Sequence, residues 1–219
     1  MRFGVISDVH GNAVALRAVL DDMPTVDGLL CAGDVVGYGP SPGECVDELR
    51  ERDVPTVEGN HDRAVVRNAG FRFNDVAQAG IEYSRDHLTE TQFDWLSALP
   101  TERLAHDGDV KVVHGHPDDP DHYTYSNEFG PALLHGESVL ILGHTHVQGH
   151  ETFDEGIVLN PGSVGQPRDG DPRAAYAILD LDDGTVEERR VEYDVERVQT
   201  QIREAGLPER LATRLEFGR

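Results

Sequence analysis

Residues 1–20 of the chain, MRFGVISDVHGNAVALRAVL, indicate a β-strand, a polar loop and an α-helix in succession. The apolar run Arg2–Ile6 predicts a buried strand. The loop Ser7–Asn12 is polar, and Ala13–Leu20 has apolar residues at helical spacing. This strand–loop–helix order is the unit from which α/β sheets are built.

Two further units of the same kind follow. They are the strand Gly28–Cys31 with a helix near Glu44–Arg50, and the strand Val54–Val57 with a helix from about His61. Strands that alternate with helices pair in parallel through right-handed crossovers. The front of the chain is therefore predicted to form a parallel sheet with helices beside it.

The second half of the chain is dominated by short strands. After helical stretches at Asn74–His87 and Thr89–Leu99, strands are predicted at Val110–Val113, Val139–Leu142, Val147–Phe153, Ile157–Leu159, Ala174–Leu181 and Thr185–Tyr193, followed by a helix at Val195–Ala205 and a helical tail. An α/β front joined to an antiparallel back predicts an α/β (α+β) fold with two sheets packed as a sandwich and helices outside. No linker interrupts the pattern, so we expect one domain over residues 1–219.

The chain is strongly acidic, with 19 Lys and Arg against 41 Asp and Glu and a net charge of −22. Lys111 is its only lysine. A surface rich in aspartate and poor in lysine stays hydrated in concentrated salt, which favours a salt-adapted protein over an ordinary acidic enzyme. The composition disfavours a basic nucleic-acid-binding face. With neither a signal peptide pattern nor an apolar run of about 20 residues, we expect a cytoplasmic location and no membrane partner.

Residues that can bind a metal ion follow the predicted strands. They are Asp8, His10, Asp34, Asn60, His61, His114, His144 and His146. Open α/β sheets place their ligand sites at the carboxyl ends of their strands. In an extended chain, residues two apart point the same way, so Asp8 with His10, and His144 with His146, are each expected to converge. Mixed nitrogen and oxygen ligands suit Mn, Fe, Co, Ni or Zn.

Taken one at a time, these residues have ordinary structural explanations. Asp8 and Asn60 precede helices and fit turn or N-cap positions. Asp34 fits a plain turn, and a lone His114 is more often a buried histidine than a metal ligand. Their common place after strands, in this order along the chain, is what favours a metal site.

The same residues carry a resemblance to a known family. Asp8-Val9-His10, Gly33-Asp34, Gly59-Asn60-His61-Asp62, His114-Gly115 and Gly143-His144-Thr145-His146 resemble the five motifs of the calcineurin-like metallophosphoesterases. The resemblance runs from residue 1 to about residue 165 and includes Asn160-Pro161-Gly162-Ser163, typical of the small prokaryotic phosphodiesterase branch. It implies a four-layer α/β/β/α sandwich.

The resemblance also implies roles for individual residues. It makes Asp8, His10 and His146 ligands of one divalent ion, Asn60, His114 and His144 ligands of a second, and Asp34 a ligand of both. Two such ions, manganese first among the candidates, lower the pKa of a bound water and supply a hydroxide that attacks a phosphodiester or a phosphomonoester. His61 is then the catalytic histidine, directed at the phosphate or the leaving oxygen.

Three neighbouring residues are interpreted from the sequence with alternatives. Arg168 is a candidate phosphate ligand, with a surface ion pair to Asp169 or Asp171 as the alternative. Tyr38 either lines the pocket or caps the loop after Asp34. For Asp62 the two interpretations are orientation of His61 and a first-turn charge on the helix.

Two other functions are compatible with this family. One is a metal-binding scaffold, since some members of the fold, such as a retromer subunit, have lost catalysis. The other is a regulatory protein that senses a nucleotide. His61, together with the full set of seven ligand positions, favours an enzyme acting on a small phosphate ester. For assembly, the working hypothesis is a dimer or a larger homo-oligomer.

Overall fold

Two β-sheets packed face to face form the centre of the computed structural model, which describes residues 1–67 and 73–219. The strands are Arg2–Ile6 (β1), Gly28–Cys31 (β2), Glu102–Ala105 (β3), Val110–Val113 (β4), Val139–Ile141 (β5), Gly149–Phe153 (β6), Gly156–Asn160 (β7), Ala174–Asp180 (β8) and Thr185–Val191 (β9). The α-helices are Ala13–Asp22 (α1), Pro42–Glu51 (α2), Asn60–Arg67 (α3), Asp75–His87 (α4), Glu90–Ser97 (α5), Val195–Glu204 (α6) and Glu209–Thr213 (α7).

The strand order combines parallel and antiparallel pairing, but the antiparallel back predicted from the sequence is wrong for β4, β5 and β7, which run parallel because crossovers and not tight hairpins connect them. In the first sheet the order is β2-β1-β8-β9, with β1 parallel to β2 and antiparallel to β8. In the second sheet the order is β3-β4-β5-β7-β6, where β4, β5 and β7 run parallel and the two edge strands run antiparallel. Because β1 pairs with β8, the two ends of the chain share one sheet. One domain over residues 1–219 stays a prediction.

The main core lies between the two sheets. Val5 and Leu30 of the first sheet are buried together with Ile141 and Leu159 of the second. Central strands such as β5 and β8 are buried on both faces, since their outer faces are covered as well. Helix α1 buries Leu16 against the first sheet, and a 3-10 turn at Pro131–Leu133 packs on the second. The predicted two-sheet sandwich flanked by helices is therefore confirmed.

The strand predicted at Val54–Val57 is wrong as a full strand. Only Thr56 pairs, in a single parallel bridge to Cys31. The Pro55 carbonyl accepts a hydrogen bond from the Cys31 N–H, but Pro55 has no N–H of its own to donate. The ladder of hydrogen bonds between the two segments therefore cannot continue through Pro55. The segment still directs the chain to the sheet end, where Asn60 begins α3.

The sequence analysis missed β3. Its first three residues, Glu102 to Leu104, are all exposed, and Leu104 is 64% exposed. A strand at the edge of a sheet needs no apolar alternation, so the hydrophobic pattern carries no signal for it. The helical tail predicted at the end of the chain is present as α7 and a 3-10 turn at Arg214–Phe217.

In the described part of the chain, no helix has the length and apolar character that crossing a membrane requires.

Replacement of Leu159 by Ala tests the core between the sheets. The side chain is fully buried, so its truncation leaves a cavity and should lower the free energy of unfolding by about 2–5 kcal/mol. Leu104→Ala removes the same atoms from an exposed edge strand and should change stability by less than about 0.5 kcal/mol. Urea unfolding of both variants measures the difference, and equal destabilisation would contradict this packing.

Candidate metal centre

The loops after β1 and β2 lie side by side and are joined by backbone hydrogen bonds. The Asp8 N–H donates to the Gly33 carbonyl over 2.9 Å, and the His10 N–H donates to the Asp34 carbonyl over 2.9 Å. Asp8, His10 and Asp34 are all buried. Parallel pairing of the two strands thus brings three of the predicted ligand residues to one edge of the first sheet.

Five of the predicted ligand residues have left-handed backbone, with φ between +50° and +67°: Asp8, His10, Asp34, His144 and His146. Residues other than glycine seldom adopt this region, and such strain concentrates at functional sites. The expected convergence of Asp8 with His10 is present, whereas His144 and His146 belong to two different clusters, so their predicted convergence on one point is wrong. The extended backbone assumed for both pairs is wrong as well. Tight left-handed turns direct these side chains inward.

Asp8, His10, Asp34 and His146 form the first of two clusters of potential metal ligands. His10 Nδ1 lies 3.1 Å from the Val36 carbonyl, and His146 Nδ1 lies 2.6 Å from the Gln166 carbonyl. A carbonyl only accepts, so each Nδ1 carries the proton and each Nε2 carries a lone pair. The two Nε2 atoms face each other at 3.0 Å. Two lone pairs at that distance repel unless a cation lies beside them.

The carboxylate of Asp8 completes this cluster. Its Oδ2 accepts the His144 N–H over 3.1 Å, while Oδ1 lies 3.2 Å from His146 Nε2. Among the described residues Oδ1 is buried without a hydrogen-bond donor. Burial on its own raises the pKa of Asp8, but the pKa lies well below its ordinary value, to which the nearby charge of His114 contributes, so the group is a carboxylate.

Asp34, His114 and His144 form the second cluster, with the Asn60 amide oxygen beside it. His114 Nδ1 lies 2.7 Å from the Ala32 carbonyl, and its Nε2 lies 3.1 Å from Asn60 Oδ1 and 3.4 Å from Asp34 Oδ2. Burial lowers the pKa of His114, but Asp34 outweighs it and raises the pKa to about 9.

His144 contributes its other ring nitrogen to this cluster. Its Nε2 lies 3.3 Å from the Asp121 carbonyl and donates to it, which leaves the lone pair on Nδ1. Burial lowers the pKa of His144 to about 4 and that of His146 to about 3, and the proton charge on His114 adds to the effect at His144. Both imidazoles are therefore neutral near pH 7, the form in which histidine binds a metal.

The two clusters fit a pair of divalent cations. Within each of them the ligand atoms lie within 4.8 Å of one another, and both clusters include Asp34. A carboxylate has two oxygens and can serve two ions that lie about 3.5–4 Å apart. The donor set of imidazoles, carboxylates and one amide is the one that Mn, Fe, Co, Ni and Zn accept.

His61 lies next to the shared carboxylate. Its backbone N–H donates to Asp34 Oδ1 over 2.8 Å, and its ring centroid lies 4.4 Å from that of Tyr38 and 4.8 Å from that of His10. Nδ1 is buried against Gly37, where a Cβ would overlap it, and has no partner among the described residues. This leaves Nε2 as the nitrogen that can meet a substrate. Burial holds the pKa of His61 well below its ordinary value.

Asp62 lies in the first turn of α3, as the second of the two interpretations from the sequence expects. Its carboxylate is buried and accepts the Val36 N–H at Oδ1, over 3.1 Å, and the Gly59 N–H at Oδ2, over 3.0 Å. It therefore joins the loop after Asp34 to the start of α3 instead of orienting His61. Burial and the nearby charge of Asp34 raise the pKa of Asp62 to about 7.

Arg168 and Tyr38 lie together beside the clusters. An Arg168 guanidinium nitrogen donates to the Tyr38 hydroxyl over 3.3 Å and to Gln166 Oε1 over 3.0 Å. The alternative of a surface ion pair is wrong, since Asp169 pairs with Arg190 and Asp171 pairs with Arg173. The Tyr38 ring centroid lies 4.7 Å from that of His10, so Tyr38 lines this site.

The sequence analysis gave no role to the residues that hold the loops in place. Asn160 donates to the Gly143 carbonyl over 2.6 Å and to Thr145 Oγ1 over 3.0 Å, which shapes the loop of His144 and His146. Ser163 Oγ donates to the Asp8 carbonyl over 2.7 Å. The Asn160-Pro161-Gly162-Ser163 motif marked these residues, but their partners lie far away in sequence and leave no local signal.

Cation binding should release the proton that His114 carries in the metal-free protein. With a pKa of about 9 this group is protonated at about pH 7.5, so a cation must displace the proton. The apparent affinity for Mn²⁺ should therefore rise by up to tenfold per pH unit between about pH 6 and pH 8. Titration calorimetry in buffers of different ionisation enthalpy counts the protons released.

His114→Asn should release about one proton fewer than the wild type on binding Mn²⁺. His135→Asn alters an exposed histidine outside both clusters and should leave the release unchanged. Equal proton release from all three proteins would contradict the assignment of this charge to His114.

Comparisons with known proteins show what the chain is similar to. The family model described as the calcineurin-like phosphoesterase superfamily domain matches residues 1–184. An uncharacterized protein of Methanocaldococcus jannaschii is 34% identical over 98% of this chain and 97% of its own length. The phosphodiesterase YfcE of Escherichia coli is 29% identical over 83% of this chain and 89% of its own.

A solved structure extends the similarity to three dimensions. The metallophosphoesterase from Sphaerobacter thermophilus superposes with a TM-score of 0.85 at 39% identity, covering 100% of this chain and 99% of that one. The family model spans most of the chain, and the structural match spans all of it. The chain belongs to the calcineurin-like phosphoesterase superfamily, a family of phosphoric ester hydrolases.

Proposed function

We propose that the protein is a phosphodiesterase that uses two divalent metal ions and also accepts phosphomonoesters. The observation that carries the proposal is the pair of buried clusters that share Asp34. A single metal ion would use only one of the clusters. The second cluster, which adds further ligands to the shared carboxylate, therefore supports a second ion. The similarity to phosphodiesterase YfcE supports a diester as the preferred substrate.

Seven residues would hold the two ions. Asp8, His10 and His146 would bind one, Asn60, His114 and His144 would bind the other, and Asp34 would bind both. Manganese is the first candidate, with iron, nickel, cobalt and zinc as the others. When bound, the two ions would supply four positive charges against two carboxylates, attract the phosphate to an otherwise acidic protein and activate water for attack on phosphorus.

His61 would act on the substrate as a hydrogen-bond donor. Its Nδ1 is enclosed by Gly37, so Nε2 is the atom directed at the phosphate or the leaving oxygen. The depressed pKa makes the imidazole neutral in the free protein, and an approaching phosphate anion would raise that pKa. Substrate binding would thus favour the protonated form that can give a proton to the departing alkoxide.

Arg168 and Tyr38 would bind the substrate from the side. The guanidinium of Arg168 lies 5.7 Å from the Tyr38 ring centroid and has no carboxylate partner among the described residues. An arginine without an ion-pair partner beside a metal centre is suited to bind two phosphate oxygens at once.

We also propose a cytoplasmic location with high salt, because the net charge of −22 accompanies a single lysine. The absence of a nucleic-acid-binding face and assembly into a homo-oligomer stay predictions.

Activity in the assay below should be higher in concentrated KCl than in dilute buffer, since salt screens the repulsion between surface carboxylates.

Hydrolysis of bis-p-nitrophenyl phosphate and p-nitrophenyl phosphate tests the proposed activity. The protein is stripped with a chelator, kept in KCl and reloaded with Mn²⁺. Activity should depend on the metal, and His61→Ala should lower kcat by about 10²–10⁴-fold because it removes a proton donor. The metal content of this variant should be unchanged, because His61 belongs to neither cluster.

His135→Ala, at an exposed histidine away from the clusters, is the matched control and should keep wild-type activity. Faster cleavage of the diester would support the preferred substrate class. Tight Mn²⁺ binding without turnover of either ester would favour the scaffold or the nucleotide-sensing protein instead.

A further inference from the structure

Two tyrosines stand exposed beside the metal centre. Tyr123 and Tyr125 are each 44% exposed and belong to the loop that follows His114. Aromatic residues make up only 6% of the chain, and large aromatic side chains are normally used for the core. An exposed pair of rings next to a catalytic centre therefore points to a binding surface.

The position of Tyr123 ties this pair to the site. Its ring stacks on that of His144, with centroids 3.8 Å apart and planes 24° apart. His144 belongs to the second cluster of ligands. A group attached to a phosphate at the metal centre thus has Tyr123 within reach.

Tyr125 extends the same surface away from the cluster. Its ring is nearly parallel to that of Tyr123, with planes 17° apart and centroids 6.4 Å apart. Rings in full face-to-face contact lie closer together than this, so each ring keeps part of its face open to solvent. Tyr125 stacks towards Tyr123 and not onto His144, so support of a metal ligand does not account for it.

Arg168 lies on the same side of the site. It donates to the Tyr38 hydroxyl over 3.3 Å, and its charge opposes the rise that burial causes in the pKa of Tyr123. One cationic side chain thus acts on a tyrosine of the loop after Asp34 and on the first tyrosine of the exposed pair. This combination of a flat aromatic surface and a guanidinium is suited to a ligand that carries both a planar ring and a phosphate.

We propose that Tyr123 and Tyr125 stack against a planar aromatic group of the substrate, of the nucleobase kind, while its phosphate lies at the metal centre. This rests on the proposed function and adds the substrate class to it: a small nucleotide ester. A long nucleic acid is disfavoured, because a net charge of −22 repels a polyanion beyond the site.

Binding of adenosine monophosphate and of ribose 5-phosphate tests this inference, because the two ligands differ only in the base. Calorimetric titrations use Mn²⁺-loaded protein that carries His61→Ala to stop turnover, so the readout is affinity and not activity. Adenosine monophosphate should bind about tenfold more tightly than ribose 5-phosphate, because stacking of a base on one aromatic side chain increases the affinity by about that factor.

Tyr125→Ala, added to this background, should reduce the preference to within about twofold without changing the affinity for ribose 5-phosphate. Tyr125→Phe, which keeps the flat ring, should retain the preference. Leu104→Ala removes an exposed apolar side chain at a distant sheet edge and is the matched control. It should behave as the parent protein.

The outcomes separate this inference from the proposed function. If neither ligand binds, the phosphate-ester site itself is wrong. If both bind with equal affinity, or if Tyr125→Ala keeps the preference, the site stands and the aromatic surface is wrong. If Tyr125→Ala and Tyr125→Phe both lose ribose 5-phosphate binding, Tyr125 serves the structure of the site, and the inference is overturned as well.

Discussion

The burial of two carboxylates beside four imidazoles is the constraint on which the rest of this structure depends. Asp8 and Asp34 are withdrawn from water, and such charges are costly unless opposite charges or hydrogen bonds compensate them. In the metal-free protein His114 provides part of that compensation by holding a proton. The opposed Nε2 lone pairs of His10 and His146 are left for a cation to satisfy. The polar interior is thus preorganised for metal ions.

Holding these groups in place requires an unusual backbone and a shell of buried hydrogen bonds. The left-handed turns at the ligand residues are strained, and the loops that carry them are fixed by long-range contacts from Asp62, Asn160 and Ser163. Each contact reaches such a loop from another element or loop of the fold: Asp62 from α3, Asn160 from the end of β7 and Ser163 from the loop after β7. The two-sheet core therefore compensates for the backbone strain at these residues. Every strand that precedes one of these loops is anchored in the core by buried apolar residues.

Much of the fold and of the candidate site was predictable from local patterns. The apolar run of β1, the alternation of strands with helices and the five spaced motifs predicted both the sandwich and the residues that cluster. The failures have physical causes. Pro55 prevents a third strand beside Cys31, and β3 has no apolar period because it lies at an edge. Asp62 lies in the first turn of α3 as one interpretation expects, but its hydrogen bonds with the Val36 and Gly59 N–H groups leave no signal in the sequence because the partners are backbone groups.

The sequence by itself determined which residue types follow each strand, and therefore which kind of chemistry the site can support. The identity of these side chains and the succession of strands along the chain are local properties of the sequence. Only the tertiary structure decided which nitrogen of each histidine keeps its lone pair, since that depends on carbonyls such as Val36 and Gln166 in other loops. It also decided that the Tyr123 ring stacks on the His144 ring. Such relations join residues distant along the chain, and packing alone brings them together.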